Sequence, residues 1–260
     1  MPTIPTPTVL IAIALALSAS APSWSQGAGV KAAIAALESS PIPSEAKDSI
    51  RAKIEADEGV FGKLLAASLV DRSADPMLLR LVDKDKPLPG GYEPPDLILL
   101  DGKGLSVSRT GHRLRAAAFE ALKAMSAAAR AEGITLLVSS AYRSYSYQVQ
   151  VWNRTVGSDG LAEAEASVAI PGHSQHQMGT AVDFGSITDA FAETKAGRWL
   201  AANAGRFGYS LSFPKGMSAA TGYKWESWHY RYIGKAAAEL QGRYFLGMQQ
   251  YLLLFLDELQ

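Results

Sequence analysis

Cysteine is absent from the 260 residues, which excludes a disulfide framework, a thiolate metal site, a cysteine nucleophile and a lipid-modified cysteine anchor near the start. Histidine is scarce, with four in the chain, so any metal must be held by these and by carboxylates. Net charge is missing as well. The 25 Lys plus Arg balance 25 Asp plus Glu, leaving no electrostatic footprint for a nucleic-acid partner. Internal repeats and low-complexity tracts are also lacking. The length fits one catalytic-sized domain with a small accessory segment better than two equal domains.

No charged side chain precedes Lys31. Before it, the apolar run VLIAIALALSAS is bounded by Pro7 and Pro22 and is too short for a comfortable membrane span. The small residues that follow (Ala19, Ala21, Ser23, Ser25) fit a secretory signal over 1–25, with cleavage after Ser25 favoured because a cut after Ala21 would abut Pro22. The missing Lys or Arg ahead of the run leaves an uncleaved anchor, a misassigned start or a buried N-terminal helix as alternatives. The tail YFLGMQQYLLLFLDELQ is also apolar, but Gln249, Gln250 and Asp257 interrupt it, so it reads as a docked amphipathic helix.

From Gly29 to about Val70, apolar residues recur at helical spacing in VKAAIAALE and SEAKDSIRAKIEADEGVFGKLLAASLV, with SPIPSEAKD supplying an N-cap candidate. This predicts a small helical arm over 26–75, packed on the main domain or acting as a spacer. The Pro- and Gly-rich LVDKDKPLPGGYEPPDLILL then leads into that domain. GHRLRAAAFEALKAMSAAARAEG reads as a helix, with Leu114, Ala117, Ala118, Leu122 and Met125 on one stripe and Gly133 as its stop. ITLLVSSAYRS reads as a buried strand, and YSYQVQVWNRTVGSDG and LAEAEASVA resume helical character. TAVDFG reads as a strand, AETKAGRWLAANAGRFG as a helix and ESWHYRYIG as a closing strand.

The chemistry concentrates in GHSQHQMGTAVDF. His176 stands seven residues before Asp183, with Gly179 letting the chain turn between them, and Ala181 shares the face of Asp183 on its strand. His229 lies on another strand, so a His, Asp, His set is within reach. Glu226 precedes His229 by three residues, which on an ideal strand would point the two apart; a turn or bulge between them would bring Glu226 near the metal without making it a ligand, as suits a general base. No HExxH helix is present. Arg143 follows a buried strand, where a fixed guanidinium can stabilise a developing oxyanion, although an arginine there is also an ordinary surface or ion-pairing residue. His173 reads as a packing or supporting neighbour, and His112 as an exposed residue opening a helix. Asp71, Asp83, Asp85 and Asp101 read as solvated or capping.

SAYRSYSYQ, GHSQHQMGTAVDF and ESWHYRY, in that order, resemble the VanY-type D-alanyl-D-alanine carboxypeptidases, within the wider zinc peptidase group that includes lysostaphin-type enzymes and hedgehog domains. LPGGYEPPDL resembles the segment that leads into the core of that family, and the likeness covers roughly Leu81 to Gly234. The element S-x-H-x-x-G-x-A-x-D is complete in Ser174, His176, Gly179, Ala181 and Asp183. The resemblance implies that His176, Asp183 and His229 ligate Zn2+, that Glu226 is the catalytic base and that Arg143 polarises the scissile carbonyl. It matches Gln148 and Ser174 to substrate-contacting positions, whereas Trp228 and Tyr230 flank a ligand and equally suit the core. His and carboxylate donors also admit other divalent ions, with zinc the default.

The implied function is hydrolysis of the terminal D-alanine of bacterial peptidoglycan stem peptides. L,D-carboxypeptidase activity, endopeptidase activity and a non-catalytic zinc-containing cell-wall-binding module are the alternatives, and the segment 153–170 is expected to shape the pocket that decides among them. The expected fold is α+β: a small, mostly antiparallel sheet bearing the zinc site, helices packed on one side, and the helical arm in front of a catalytic domain over 76–260. The location that follows is exported, periplasmic or extracellular, without a stable membrane span after signal cleavage.

Overall fold

A computed structural model describes Trp24 and residues 27–259. The expected signal over 1–25 lies outside the described residues apart from Trp24. Among the described residues no helix is long and apolar enough to cross a membrane.

The arm is three helices, not two: α1 (Ala28–Ser39), α2 (Ser44–Ala56) and α3 (Glu58–Ala74). The two prolines of SPIP separate the first pair. The second break falls inside what reads as one continuous pattern, because the Asp57 side chain accepts from the Val60 N–H at 3.3 Å and starts a new helix. The N-cap expected from SPIPSEAKD is not formed by a side chain, since Pro43 occupies that position.

An extended segment carries β1 (Leu97–Leu99), and β2 (Ser106–Val107) and β3 (Arg113–Arg115) follow. Helix α4 (Ala116–Ala131) then starts five residues later than its periodicity suggests. Leu114 therefore lies on a strand, and Ala117 is exposed while Ala118, Phe119, Leu122, Met125 and Ala129 face the core. Next come β4 (Leu137–Ser140), α5 (Tyr145–Asp159), α6 (Leu161–Ser167) and β5 (Ala181–Phe184). They are followed by α7 (Lys195–Asn203), β6 (Tyr209–Leu211), the one-turn α8 (Ser218–Thr221), β7 (His229–Tyr232), α9 (Lys235–Tyr244) and α10 (Gln249–Glu258).

The main sheet has the order β2-β4-β5-β7-β6, parallel only between β2 and β4, and β1 pairs with β3 beside it. This is the expected α+β architecture. Val182, Phe184 and Tyr230 point from one face of the sheet into a core shared with α4 and α7. A second core lies elsewhere: Phe61 and Leu65 of α3 pack with Leu240 and Tyr244 of α9 and with Leu252, Phe255 and Leu256 of α10. Helix α10 is docked, as expected, but it is buried almost all round rather than amphipathic, Gln249 and Gln250 included.

Candidate metal centre

The register of β5 with β7 builds the site. Asp183 is directly opposite His229, and cross-strand partners in an antiparallel pair project on the same face with their Cβ atoms about 5 Å apart. The His229 ring brings Nδ1 to 2.9 Å from Asp183 Oδ1. His176 comes from the 3-10 turn Gln175–Met178, which Ser174 caps by accepting from the His176 N–H and which Gly179 ends in the left-handed conformation at φ 70°. Its Nε2 lies 3.1 Å from Asp183 Oδ2. All three side chains are buried, and their ligating atoms lie within 4.8 Å of one another.

The donor chemistry fits a cation. His176 Nδ1 lies 2.7 Å from the Ala141 carbonyl, which can only accept, so the ring proton sits on Nδ1 and a lone pair on Nε2 points at the carboxylate. Burial pushes the His176 imidazole down to about 4 against the pull of the Asp183 charge, so the ring is neutral at ordinary pH. A carboxylate oxygen and an imidazole lone pair 3.1 Å apart repel unless a positive centre lies between them. Two imidazole nitrogens and a carboxylate form a donor set suited to zinc.

Glu226 reaches the same space because residues 227 and 228 turn: its carbonyl accepts from the His229 N–H at 3.3 Å, and its carboxylate lies 3.6 Å from His229 Nδ1. Burial pushes that carboxyl up to about 7, with His229 opposing and Asp183 adding to the rise. Arg143 follows β4 and lines the same cavity. Its Nη1 donates to Gln148 Oε1 at 3.0 Å and its Nη2 to Ser140 Oγ at 3.3 Å, while Nε is buried without a partner. Burial lowers its pKa and the Asp183 charge counters this. Among the described residues no carboxylate stands within ion-pairing distance of this guanidinium.

The residues read from the sequence do not all stand at the surface of the cavity, which measures about 230 Å³. His176, Asp183, His229, Glu226, Arg143 and Ser174 line it. Gln148 does not. It is fully buried behind Arg143, its Oε1 accepts from Arg143 Nη1, and its Nε2 donates to the Ala169 carbonyl at 2.6 Å. His173 lines the cavity with Nδ1 2.7 Å from the Asp83 carbonyl, and Trp228 lines it as well, whereas Tyr230 belongs to the core. His112 is buried, not exposed, and it precedes a strand rather than opening a helix; its Nε2 lies 3.4 Å from Ser108 Oγ. The segment 153–170 contributes Ser167, Val168 and Ala169 to the wall. Val82, Phe213 and Tyr223 also line it, and Ser140 sits opposite Asp183 through a register shift in β4. Val82, Phe213 and Tyr223 carry no motif by which the sequence alone would pick them out, whereas Ser140 opens the SAYRSYSYQ stretch without being singled out there.

A family profile described as VanY, D-alanyl-D-alanine carboxypeptidase, matches residues 111–235. A solved VanY D,D-pentapeptidase from a VanB-type vancomycin-resistance cassette, a mutant in complex with Zn(II), is 31% identical, with a TM-score of 0.57 over 71% of this chain and 99% of that one. The chain belongs to the VanY family of D-alanyl-D-alanine carboxypeptidases. The LdcB LD-carboxypeptidase is a second solved neighbour, 37% identical with a TM-score of 0.59 over 63% of this chain and 80% of the other. YodJ of Bacillus subtilis is 38% identical over 181 residues, 67% of this chain. The alignments to the curated relatives span about two thirds of their length, 66% and 65% for the first two. The VanY segment contains every residue of the metal centre and leaves the three arm helices, α10 and most of α9 outside it.

Proposed function

We propose that this chain is an exported, zinc-dependent carboxypeptidase that removes the terminal D-alanine from peptidoglycan stem peptides. The observation that carries the reading is the meeting of Asp183 with ring nitrogens of His176 and His229, a set of electron-pair donors gathered in a cavity that also holds Glu226 and Arg143. Zinc held there supplies Lewis acidity and a nucleophile generated from water near neutral pH. Glu226 accepts the proton of the attacking water and returns it to the leaving amine. The Arg143 guanidinium, without a carboxylate of its own, donates to the carbonyl oxygen as negative charge develops. Gln148 and Ser140 hold that guanidinium in place, and Ser174 orders the turn that delivers His176.

A second reading, L,D-carboxypeptidase, is favoured by the likeness to LdcB, which exceeds in identity the likeness to the solved VanY D,D-pentapeptidase. Mass spectrometry of the zinc-loaded protein incubated with a pentapeptide stem, a tetrapeptide stem and a cross-linked dimer separates the two, with Glu226→Gln as the control. Loss of one alanine from the pentapeptide, abolished in the control, supports the D,D reading, and loss from the tetrapeptide alone replaces it with the L,D reading. No change in any substrate would sink both.

A further inference from the structure

Helix α10 reaches the metal centre through a chain of buried amides. Gln249, 1% exposed at the start of that helix, donates from Nε2 to the Ser210 carbonyl at 3.2 Å. A main-chain carbonyl only accepts, so the Gln249 amide is fixed with its Oε1 turned toward Gln175. Gln175 Nε2 donates to that oxygen at 3.4 Å, and the Gln175 amide is thereby oriented in turn. Its Oε1 faces His229 Nε2 at 3.2 Å and accepts from Ser212 Oγ at 2.7 Å. Ser212 Oγ lies 3.4 Å from Gln249 Oε1 as well, so both amides share one hydroxyl. An oxygen facing His229 Nε2 requires a hydrogen there, so the nitrogen able to offer a lone pair is Nδ1, the one that faces Asp183. Each link has one permitted direction, and the sequence of links begins at a backbone carbonyl of β6.

We propose that Gln249, acting through Gln175, is a positioning residue for the metal centre: it holds His229 in the tautomer and ring orientation that offer Nδ1 to a divalent cation. The proposal rests on the zinc reading above and goes beyond it, because Gln249 lies outside the residues matched by the family profile. Packing alone does not account for a glutamine here. The neighbouring α10 side chains that fill the helical core are leucine, tyrosine and phenylalanine, and a buried amide is retained at a cost unless its hydrogen bonds are all made.

The test is a double-mutant cycle on zinc affinity with Gln249→Met, Gln175→Met and the pair, read by competition with a chromogenic chelator. Partners that orient a metal-binding histidine are worth about 10–100-fold in metal affinity. Gln175→Met is expected to weaken zinc by about that factor and Gln249→Met by about 10-fold. The double variant is expected to be no weaker than Gln175→Met alone. A Gln249→Met protein that binds zinc as tightly as wild type overturns the proposal, and so does a Gln249 effect that persists undiminished without Gln175. If Gln249→Met does not fold, 15N spectra of the zinc-loaded wild type decide: a proton on His229 Nε2 with Nδ1 on the metal is expected, and the reverse assignment overturns the proposal. A wild-type chain with no zinc affinity removes the zinc reading itself and this proposal with it, an outcome distinct from variants that fail to differ.

Discussion

Glu226 and His229 stand three residues apart, and only the turn at 227–228 lets both side chains enter one cavity. The roles proposed for them differ by distance. His229 Nδ1 is 2.9 Å from Asp183, whereas the Glu226 carboxylate is 3.6 Å from that nitrogen and outside the ligand set. Glu226→Gln is therefore expected to keep zinc at one ion per chain while kcat falls by roughly 10²–10⁴-fold, the usual loss for a positioned general base. Asp183→Asn is expected to do the opposite, losing zinc because a neutral amide replaces the one negative charge of the donor set. Metal analysis and turnover measured on the same preparations check both. Zinc lost from Glu226→Gln would make Glu226 a ligand rather than a base.

At the scale of elements, the 3-10 turn that carries His176 into β5 hangs on Gly179. Its φ of 70° is costly for any other residue, and an added Cβ would stand 2.9 Å from Arg115 Cγ, 3.0 Å from Leu97 Cδ2 and 3.1 Å from Pro94 Cγ. Gly179→Ala is expected to lose about 1–2 kcal/mol from the backbone alone, with a further ~1–3 kcal/mol from crowding, and to weaken zinc because the turn carries His176. Chemical denaturation with and without zinc measures the two effects, and an unchanged midpoint would show that the loop yields. The motif made this element legible in the sequence, because glycine, small residue and carboxylate at fixed spacing each answer a local backbone or packing need. Local pattern failed where long-range pairing decides. Residues 113–115 read as helix because Leu114 continues the apolar stripe of α4, but they pair with β1 in an antiparallel ribbon. His112 is buried for the same reason. Its carbonyl accepts from the Leu100 N–H at 2.9 Å across that ribbon, a contact invisible to periodicity. Gln249 and Gln250 read as interruptions of an apolar tail, yet one reaches Gln175 and the other donates to Asp83 at 2.8 Å, partners 74 and 167 residues away in sequence.

Among the described residues there are two large cores and a small third cluster of Val82, Leu88 and Met178, and the arm cannot be judged from its own sequence because half of its core is supplied by the other end of the chain. The Phe61 ring meets Tyr244 edge-on at 5.2 Å and Phe255 at 6.4 Å. Arg72 of α3 donates to the Leu256 and Leu259 carbonyls, 2.7 Å each, and so satisfies acceptors that the end of α10 leaves without helical partners. Helix α10 in turn carries Gln249, so the arm, the C-terminal helices and the metal centre form one mechanical series. Removing residues 28–74 would uncover the apolar faces of α9 and α10, among them Leu240, Leu252, Phe255 and Leu256, all within 1% of full burial in the intact chain. A chain starting at Asp75 is therefore expected to lose cooperative unfolding and to bind a hydrophobic dye, with zinc affinity falling as α10 loosens. Chain-length comparison by thermal denaturation and dye fluorescence tests this. A truncated protein that melts sharply and keeps wild-type zinc affinity would show that the sheet and its own core suffice, and that the helices at the two ends of the chain brace only each other.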